Sequence, residues 1–390
     1  MNLLTAVRLA RRLLALAPVL LAVALCGCGG PEKRQPSGVR ITPGTTGTKR
    51  PPPPPYQAPR VVTPQPAPTF VQPRPQPLPQ VPTPVPTVVP KPQPLTVPVQ
   101  PAARPQWIPL QSWAAQMGFS APTRVSQTGY QVRSAAGSFQ LEVGKRAATW
   151  NGYKFHLGFA PAATNGIPFI HSLDAEKNLA PLLQVNRPIQ RGRGVIVLDP
   201  GHGGADNGTK STVANRFEKD YTLDWARRLK PLLEARGWKV VLTRTTDRAV
   251  ELSERVFIAE QQQADMFISL HLNSAAAGAS GLETYCLTPA GMASTLTRNF
   301  PDPANIVLPG NSQDQQNMHL AMRVHRSLLQ GVGMPDRGVQ RARFMAVLKT
   351  QQRPAVLIEG GYLSDRNESR QLDNPEYRQK LALAVAKALE

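Results

Sequence analysis

Three cysteines among 390 residues, Cys26, Cys28 and Cys286, are too few to staple a fold, so stability has to come from buried surface. Acidic side chains are scarce too, 25 against 45 lysines and arginines, and the formal net charge is +20. Long apolar runs are also missing. The N-terminal stretch from Leu13 to Leu25 reaches 13 residues, where a membrane-spanning helix needs about 20. Proline is what the chain has in excess: 41 residues, of which 25 fall between positions 29 and 106. The same segment carries nine basic residues against one acidic residue. The largest charge excess therefore lies where no core can form. This excludes a single globule and a uniformly basic nucleic-acid binder, and no nucleic-acid partner is expected.

The N-terminus reads as an export signal. Arg8, Arg11 and Arg12 precede the short apolar run, the order a secretory leader requires. Leu25-Cys26-Gly27-Cys28 follows and resembles the lipobox of bacterial lipoproteins, with Gly27 before the cut and Cys28 as the acylated residue. That resemblance implies a protein of the periplasm or cell envelope, anchored to membrane by lipid. In a Gram-negative cell it implies the outer membrane, because Gly29 and Gly30 stand where inner-membrane retention uses aspartate. An ordinary cleaved signal is the alternative, and it too takes the chain out of the cytoplasm. With Cys26 removed and Cys28 acylated, Cys286 is the one remaining thiol.

Residues 29–106, with Pro51 to Pro55 in a row, favour polyproline II and read as a disordered tether. Composition changes at Trp107. From 107 to 187, short strand-like runs such as Tyr130–Arg133 and Phe139–Val143 alternate with glycines, and Asn151-Gly152 is a hairpin signal. A small β-rich or α+β domain is expected. Trp107-Ile-Pro-Leu, Gly144-Lys-Arg, Asn151-Gly-Tyr and Ile167-Pro-Phe-Ile resemble the stalk-like domain named after the N-terminus of copper amine oxidases. No copper is expected from the name, since His156 and His171 stand alone in the sequence.

Residues 190–390 alternate strand and helix, which predicts an α/β domain with a mostly parallel or mixed sheet flanked by helices. Strands are expected at Gly194–Asp199, Lys239–Thr243, Phe267–Leu272, Phe344–Leu348 and Ala355–Ile358. Helices are expected at Tyr221–Arg236, Leu252–Gln262, His319–Leu329 and Tyr377–Leu389. Three of the apolar runs end in residues able to do acid–base or metal chemistry: His202 in Asp199-Pro-Gly-His-Gly-Gly, His271 in His-Leu-Asn273, and Glu359 before Gly360-Gly361. Ligands of open α/β sheets bind beyond the carboxyl ends of strands.

A catalytic zinc takes three nitrogen or oxygen ligands and keeps one open position. His202 and His271 offer nitrogens, and Glu218 is the third candidate. Spacing alone also allows Asn215 and Glu218 to form a capping box. Glu359 could equally be a buried carboxylate paired with Arg341 or Arg343. Cys286 reads as a core residue.

Val197-Leu-Asp-Pro-Gly-His202-Gly-Gly, Phe217-Glu218-Lys-Asp, Leu252-Ser-Glu-Arg255, Ser269-Leu-His271-Leu-Asn273 and Val356-Leu-Ile-Glu359-Gly-Gly-Tyr resemble the zinc-dependent N-acetylmuramoyl-L-alanine amidases, in order from about 193 to the C-terminus. The resemblance implies His202, Glu218 and His271 as zinc ligands and Glu359 as the catalytic glutamate. It implies peptidoglycan as substrate, cut between N-acetylmuramic acid and L-Ala of the stem peptide. Asn273, Gly203 and Gly361 are its substrate-side candidates. An activator protein, of no identifiable kind, is a further expected partner. Thr288–Gln316 is a polar insertion whose prolines disfavour a long helix, and it reads as a substrate-groove loop. A wall-binding scaffold and a zinc carboxypeptidase are the rival readings.

Overall fold

Asn151 and Gly152 both take left-handed backbone angles (φ 52° and 84°), the pairing that a tight two-residue hairpin turn demands. They join two strands of a meander in the computed structural model, which describes residues 107–184 and 194–390. The export signal, Cys28 and the proline-rich segment lie outside the described residues. Among those described, no helix is long and apolar enough to cross a membrane.

The first part holds β1 (Trp107–Pro109), helix α1 (Leu110–Gln116), and strands β2 (Thr123–Arg124), β3 (Gly129–Ser134), β4 (Gly137–Glu142), β5 (Ala147–Trp150) and β6 (Tyr153–His156). Strands β7 (Ala162–Thr164) and β8 (Ile167–His171) follow, then helical turns over 172–182. Strands β2 to β6 form an antiparallel meander, while β1, β8 and β7 make a separate antiparallel sheet. Alternation places Val132, Phe139, Leu141, Trp150 and Phe155 in the core, beneath Trp113 of α1.

The second part contributes β9 (Val195–Pro200), α2 (Glu218–Glu234), β10 (Lys239–Leu242), α3 (Leu252–Gln261), β11 (Met266–Asn273) and β12 (Leu282–Leu287). Helix α4 (Asp314–Val332), β13 (Asp336–Ala342), α5 (Ala346–Lys349), β14 (Ala355–Tyr362), α6 (Arg366–Asp373) and α7 (Pro375–Ala388) complete it. The larger sheet runs β10-β9-β11-β14-β12-β13 and continues through β6 into the meander. Strands β10, β9, β11 and β14 are parallel, β12 opposes β14, and β13 runs with β12, so the sheet is mixed. The α/β reading holds. The link into the meander is one registered pair, Val339 opposite Phe155.

Helix α2 buries Tyr221, Trp225, Leu229 and Leu233 in the core. Each fully buried leucine contributes about 1.5–3 kcal/mol. Trp225 lies against β14 beside Glu359, since a Cβ on Gly360 would come within 2.7 Å of its ring.

One expected strand is absent. Phe344–Leu348 enters the short helix α5, and the strand of this region is β13, just before it. Strand β13 reads Asp-Arg-Gly-Val-Gln-Arg-Ala, too polar to announce itself. Its buried Arg341 is satisfied by the Leu287 carbonyl (2.8 Å) and by Oδ1 of Asn178 (2.7 Å), a partner on the 172–182 turns that local sequence cannot supply.

Candidate active site

Three neighbouring strands bring one row of side chains to the same face. His271 on β11 is in register with Glu359 on β14, and Glu359 with Glu283 on β12. The chain leaves β9 at Pro200 and turns back at His202, whose backbone is left-handed (φ 61°). A non-glycine residue in that region costs of order 1 kcal/mol or more, so the surroundings must hold it. Two buried arginines do so. Arg255 of α3 donates to Asp199 Oδ1 (2.6 Å) and to the carbonyls of Pro200 (2.9 Å), His202 (3.0 Å) and Val250 (3.1 Å). Arg244 donates to the carbonyls of Pro200 (3.0 Å), Gly201 (2.9 Å) and Lys219 (2.8 Å). Asp199 in turn accepts from Thr243 Oγ1 (2.7 Å) and Ser269 Oγ (2.8 Å). Its role is to brace the loop.

Glu218, the first residue of α2 and almost fully buried, is the hub. Its Oε1 lies 3.0 Å from His202 Nε2, 3.0 Å from His271 Nδ1 and 2.9 Å from the Leu272 N–H. Its Oε2 accepts from the Thr209 N–H at 3.0 Å. The capping-box alternative is thereby overturned: the helix cap is Phe217, whose N–H donates to Asp220, and the Glu218 carboxylate points into the cleft. Burial opposes ionisation of Glu218, but the two imidazoles outweigh it and hold its pKa below the carboxylate norm.

Burial likewise works against a charged His202, yet Glu218 and Asp206 prevail and raise its pKa. Asp206 Oδ1 sits 2.9 Å from His202 Nδ1. A carboxylate there fixes Nδ1 as the protonated nitrogen and leaves the Nε2 lone pair facing Glu218 and His271. One ligand atom from each of His202, Glu218 and His271 lies within 4.8 Å of the others. Two nitrogens and one carboxylate oxygen, oriented from behind, fit a divalent transition metal.

Glu359 is buried, and its Oε2 has no hydrogen-bond partner among the described residues. Burial first, then the nearby Glu218, pushes its pKa well above the carboxylate norm, while Arg298 pulls it back and Glu283 adds to the rise. The alternative pairing with Arg341 or Arg343 is overturned, for Arg341 serves Asn178 and Arg343 pairs with Asp302. Cys286 is buried in the core.

A cleft of about 520 Å³ opens over this row, lined by His202, Glu218, His271, Asn273, Arg298 and Glu359, among others. Gly203 lines it as well. Asn273 does so with its amide engaged, donating to Glu283 Oε2 at 2.9 Å. Gly361 does not reach the cleft. Its φ of 130° accommodates a register shift in which Asn273 pairs with Tyr362 although His271 pairs with Glu359, and a Cβ would strike Met334 at 2.9 Å.

Within the family's sequence pattern, the profile described as N-acetylmuramoyl-L-alanine amidase matches residues 196–390, half of the chain. The chain belongs to the N-acetylmuramoyl-L-alanine amidase family. It is 32% identical to the uncharacterised protein YqiI of Bacillus subtilis, over 54% of this chain and 90% of that one. To the N-acetylmuramoyl-L-alanine amidase AmiC of Escherichia coli it is 31% identical, over 54% of this chain and 56% of that one. The solved catalytic domain of the amidase CwlV from Bacillus (Paenibacillus) polymyxa shares 29% identity over 50% of this chain and 96% of that one, with a TM-score of 0.42.

Several amidase-site residues carried no sequence signal. Asp206 stands in an unremarkable turn, and only its position four residues after His202 hints at a partner. Arg255 was visible in a motif without a role. Arg244, Glu283 and Arg298 needed the fold to bring them in.

Proposed function

We propose that the chain hydrolyses the amide between N-acetylmuramic acid and L-Ala of the peptidoglycan stem peptide. The observation that carries this reading is the buried Glu359 carboxyl, whose Oε2 has no partner among the described residues, on the strand next to His271 of the His202–Glu218–His271 cluster. Those three side chains would hold zinc, which when bound polarises a carbonyl and lowers the pKa of water to about 7. Glu359 takes a proton from the attacking water and returns it to the departing L-Ala nitrogen, so the amine leaves neutral. Burial serves that step, because a carboxyl whose pKa is lifted toward the working pH exchanges protons in both directions. Asp206 holds the His202 ring, and Arg255 and Arg244 hold the loop beneath it. The leader implies export, and Cys28 is the proposed lipid attachment, which would place hydrolysis at the wall. Residues 107–187 would position the enzyme there.

The test is digestion of purified sacculi by the full chain and by Glu359→Gln, followed by mass analysis. The expected products are intact stem peptides with a free L-Ala amine. The variant should retain zinc but lose about 10²–10⁴-fold in rate. Release of single C-terminal amino acids would assign a carboxypeptidase instead, and no release at all a scaffold.

A further inference from the structure

Beside the catalytic row lies a second hollow of about 400 Å³ that shares Asn273, Ser274 and Arg298 with the first. Its far wall is His156 of β6, so the meander supplies part of a groove that begins at Glu359. Its floor is the buried Glu283, which accepts from Asn273 Nδ2 (2.9 Å), Tyr285 Oη (2.7 Å), Tyr362 Oη (3.2 Å) and Arg337 Nε (2.6 Å).

Two guanidinium groups border the hollow. Arg337 spends Nε on Glu283 and lies over the Tyr362 ring at 5.2 Å. Arg298 has no carboxylate within ion-pair distance among the described residues, and its one hydrogen bond is a long one to Asn273 Oδ1 (3.4 Å). It is not a loose surface side chain. Arg298 and Asn299 are both left-handed (φ 47° and 65°), and the guanidinium lies 5.6 Å from the centre of the Phe344 ring, which Phe300 also stacks on. Strain of this kind persists only where the surroundings over-determine it. Here the clamp is the buried Arg343, bonded to Asp302 and to the carbonyls of Pro289, Met292 and Ala304 across the insertion.

Two arginines against one glutamate leave a single net positive charge. His156 adds none: burial lowers its pKa, and Nδ1 must donate to the Val339 carbonyl (3.3 Å), which leaves Nε2 an acceptor. One uncompensated guanidinium in a polar groove suits one carboxylate.

We propose that Arg298, with Arg337 behind it, binds a carboxylate of the substrate's peptide portion and so sets specificity for acidic over amidated stem peptides. This rests on the amidase reading for the identity of the peptide. The test uses two muramoyl-peptides that differ in whether one peptide carboxylate is free or amidated. The wild-type chain should favour the free acid at least tenfold in kcat/KM. In Arg298→Gln the two substrates should become equal within about twofold, and Arg298→Lys should restore part of the preference. Wild-type indifference to the carboxylate, or a preference that survives both Arg298→Gln and Arg337→Gln, would overturn the proposal. Calorimetry with Glu359→Gln and the released peptides separates the two readings. Arg298-dependent preference for the acid form without any hydrolysis by the wild type would remove the amidase and keep the subsite. Hydrolysis with equal binding of acid and amide would do the reverse.

Discussion

A Cβ at residue 201 would lie 2.3 Å from Cε1 of His271, so the imidazole fills the volume that any side chain on Gly201 would need. Two segments seventy residues apart in the chain are thereby fitted to each other. Gly201→Ala should displace the His271 ring and weaken zinc binding by at least 10- to 100-fold, the size of loss that follows disturbed ligand support. Zinc content after dialysis against a graded chelator checks this, and retention equal to wild type would contradict it.

Asp206 touches one residue of the proposed metal site, His202, and its Oδ1 also accepts from the Gly208 N–H at 3.2 Å. Asp206→Ala should cost roughly 10- to 100-fold in zinc affinity, because the ring loses the partner that fixes its orientation. Since Asp206 is largely exposed, its removal should hardly move the unfolding midpoint. Competition with a chromogenic chelator and a urea titration together decide it.

Arg255 makes four hydrogen bonds with a planar fork, and lysine cannot reproduce them. Arg255→Lys keeps the charge yet leaves two or three buried acceptors short of a donor. The expected cost is about 2–4 kcal/mol in urea unfolding, at the scale of unsatisfied buried groups. Sacculus hydrolysis should fall as well, because the His202 loop loses its brace. A variant with wild-type stability would refute the bracing role.

Asp174 offers a pH test well away from the cleft. Its carboxylate accepts from the N–H groups of Gly158 (2.6 Å) and Phe159 (2.9 Å) and from Asn178 Nδ2 (2.6 Å), yet burial dominates and raises its pKa to about 6. The folded protein thus retains a proton that the unfolded chain gives up, and stability falls as pH rises from about 4 to about 6, then levels off. The difference in unfolding free energy between wild type and Asp174→Asn should shrink by about 2–3 kcal/mol across that window. A difference that stays flat with pH would show that Asp174 is already ionised at pH 4.

His202 and His271 were legible because each follows an apolar run, whereas Glu218 follows none, and the family pattern fixed which residues to take together. Glu218 was ambiguous for a physical reason: a glutamate at a helix start can bond the backbone or face the cleft, and spacing does not choose. The fold chose, by placing two imidazoles and the Leu272 N–H around one of its oxygens. Strand β13 was illegible because its buried Arg341 is satisfied by acceptors far away in sequence, Asn178 Oδ1 and the Leu287 carbonyl. Apolar Phe344–Leu348 misled for the opposite reason, since a short helix over the core buries such residues as well as a strand does.

The pairing of Phe155 with Val339 has a consequence for anyone shortening the chain. Without the meander, β13 becomes an open edge whose unpaired amides invite another copy to dock, the usual route to β-sheet aggregation. Arg341 would at the same time lose Asn178 and keep its charge under the sheet. A fragment begun at residue 194 carries every proposed zinc ligand, yet it should be the less soluble protein.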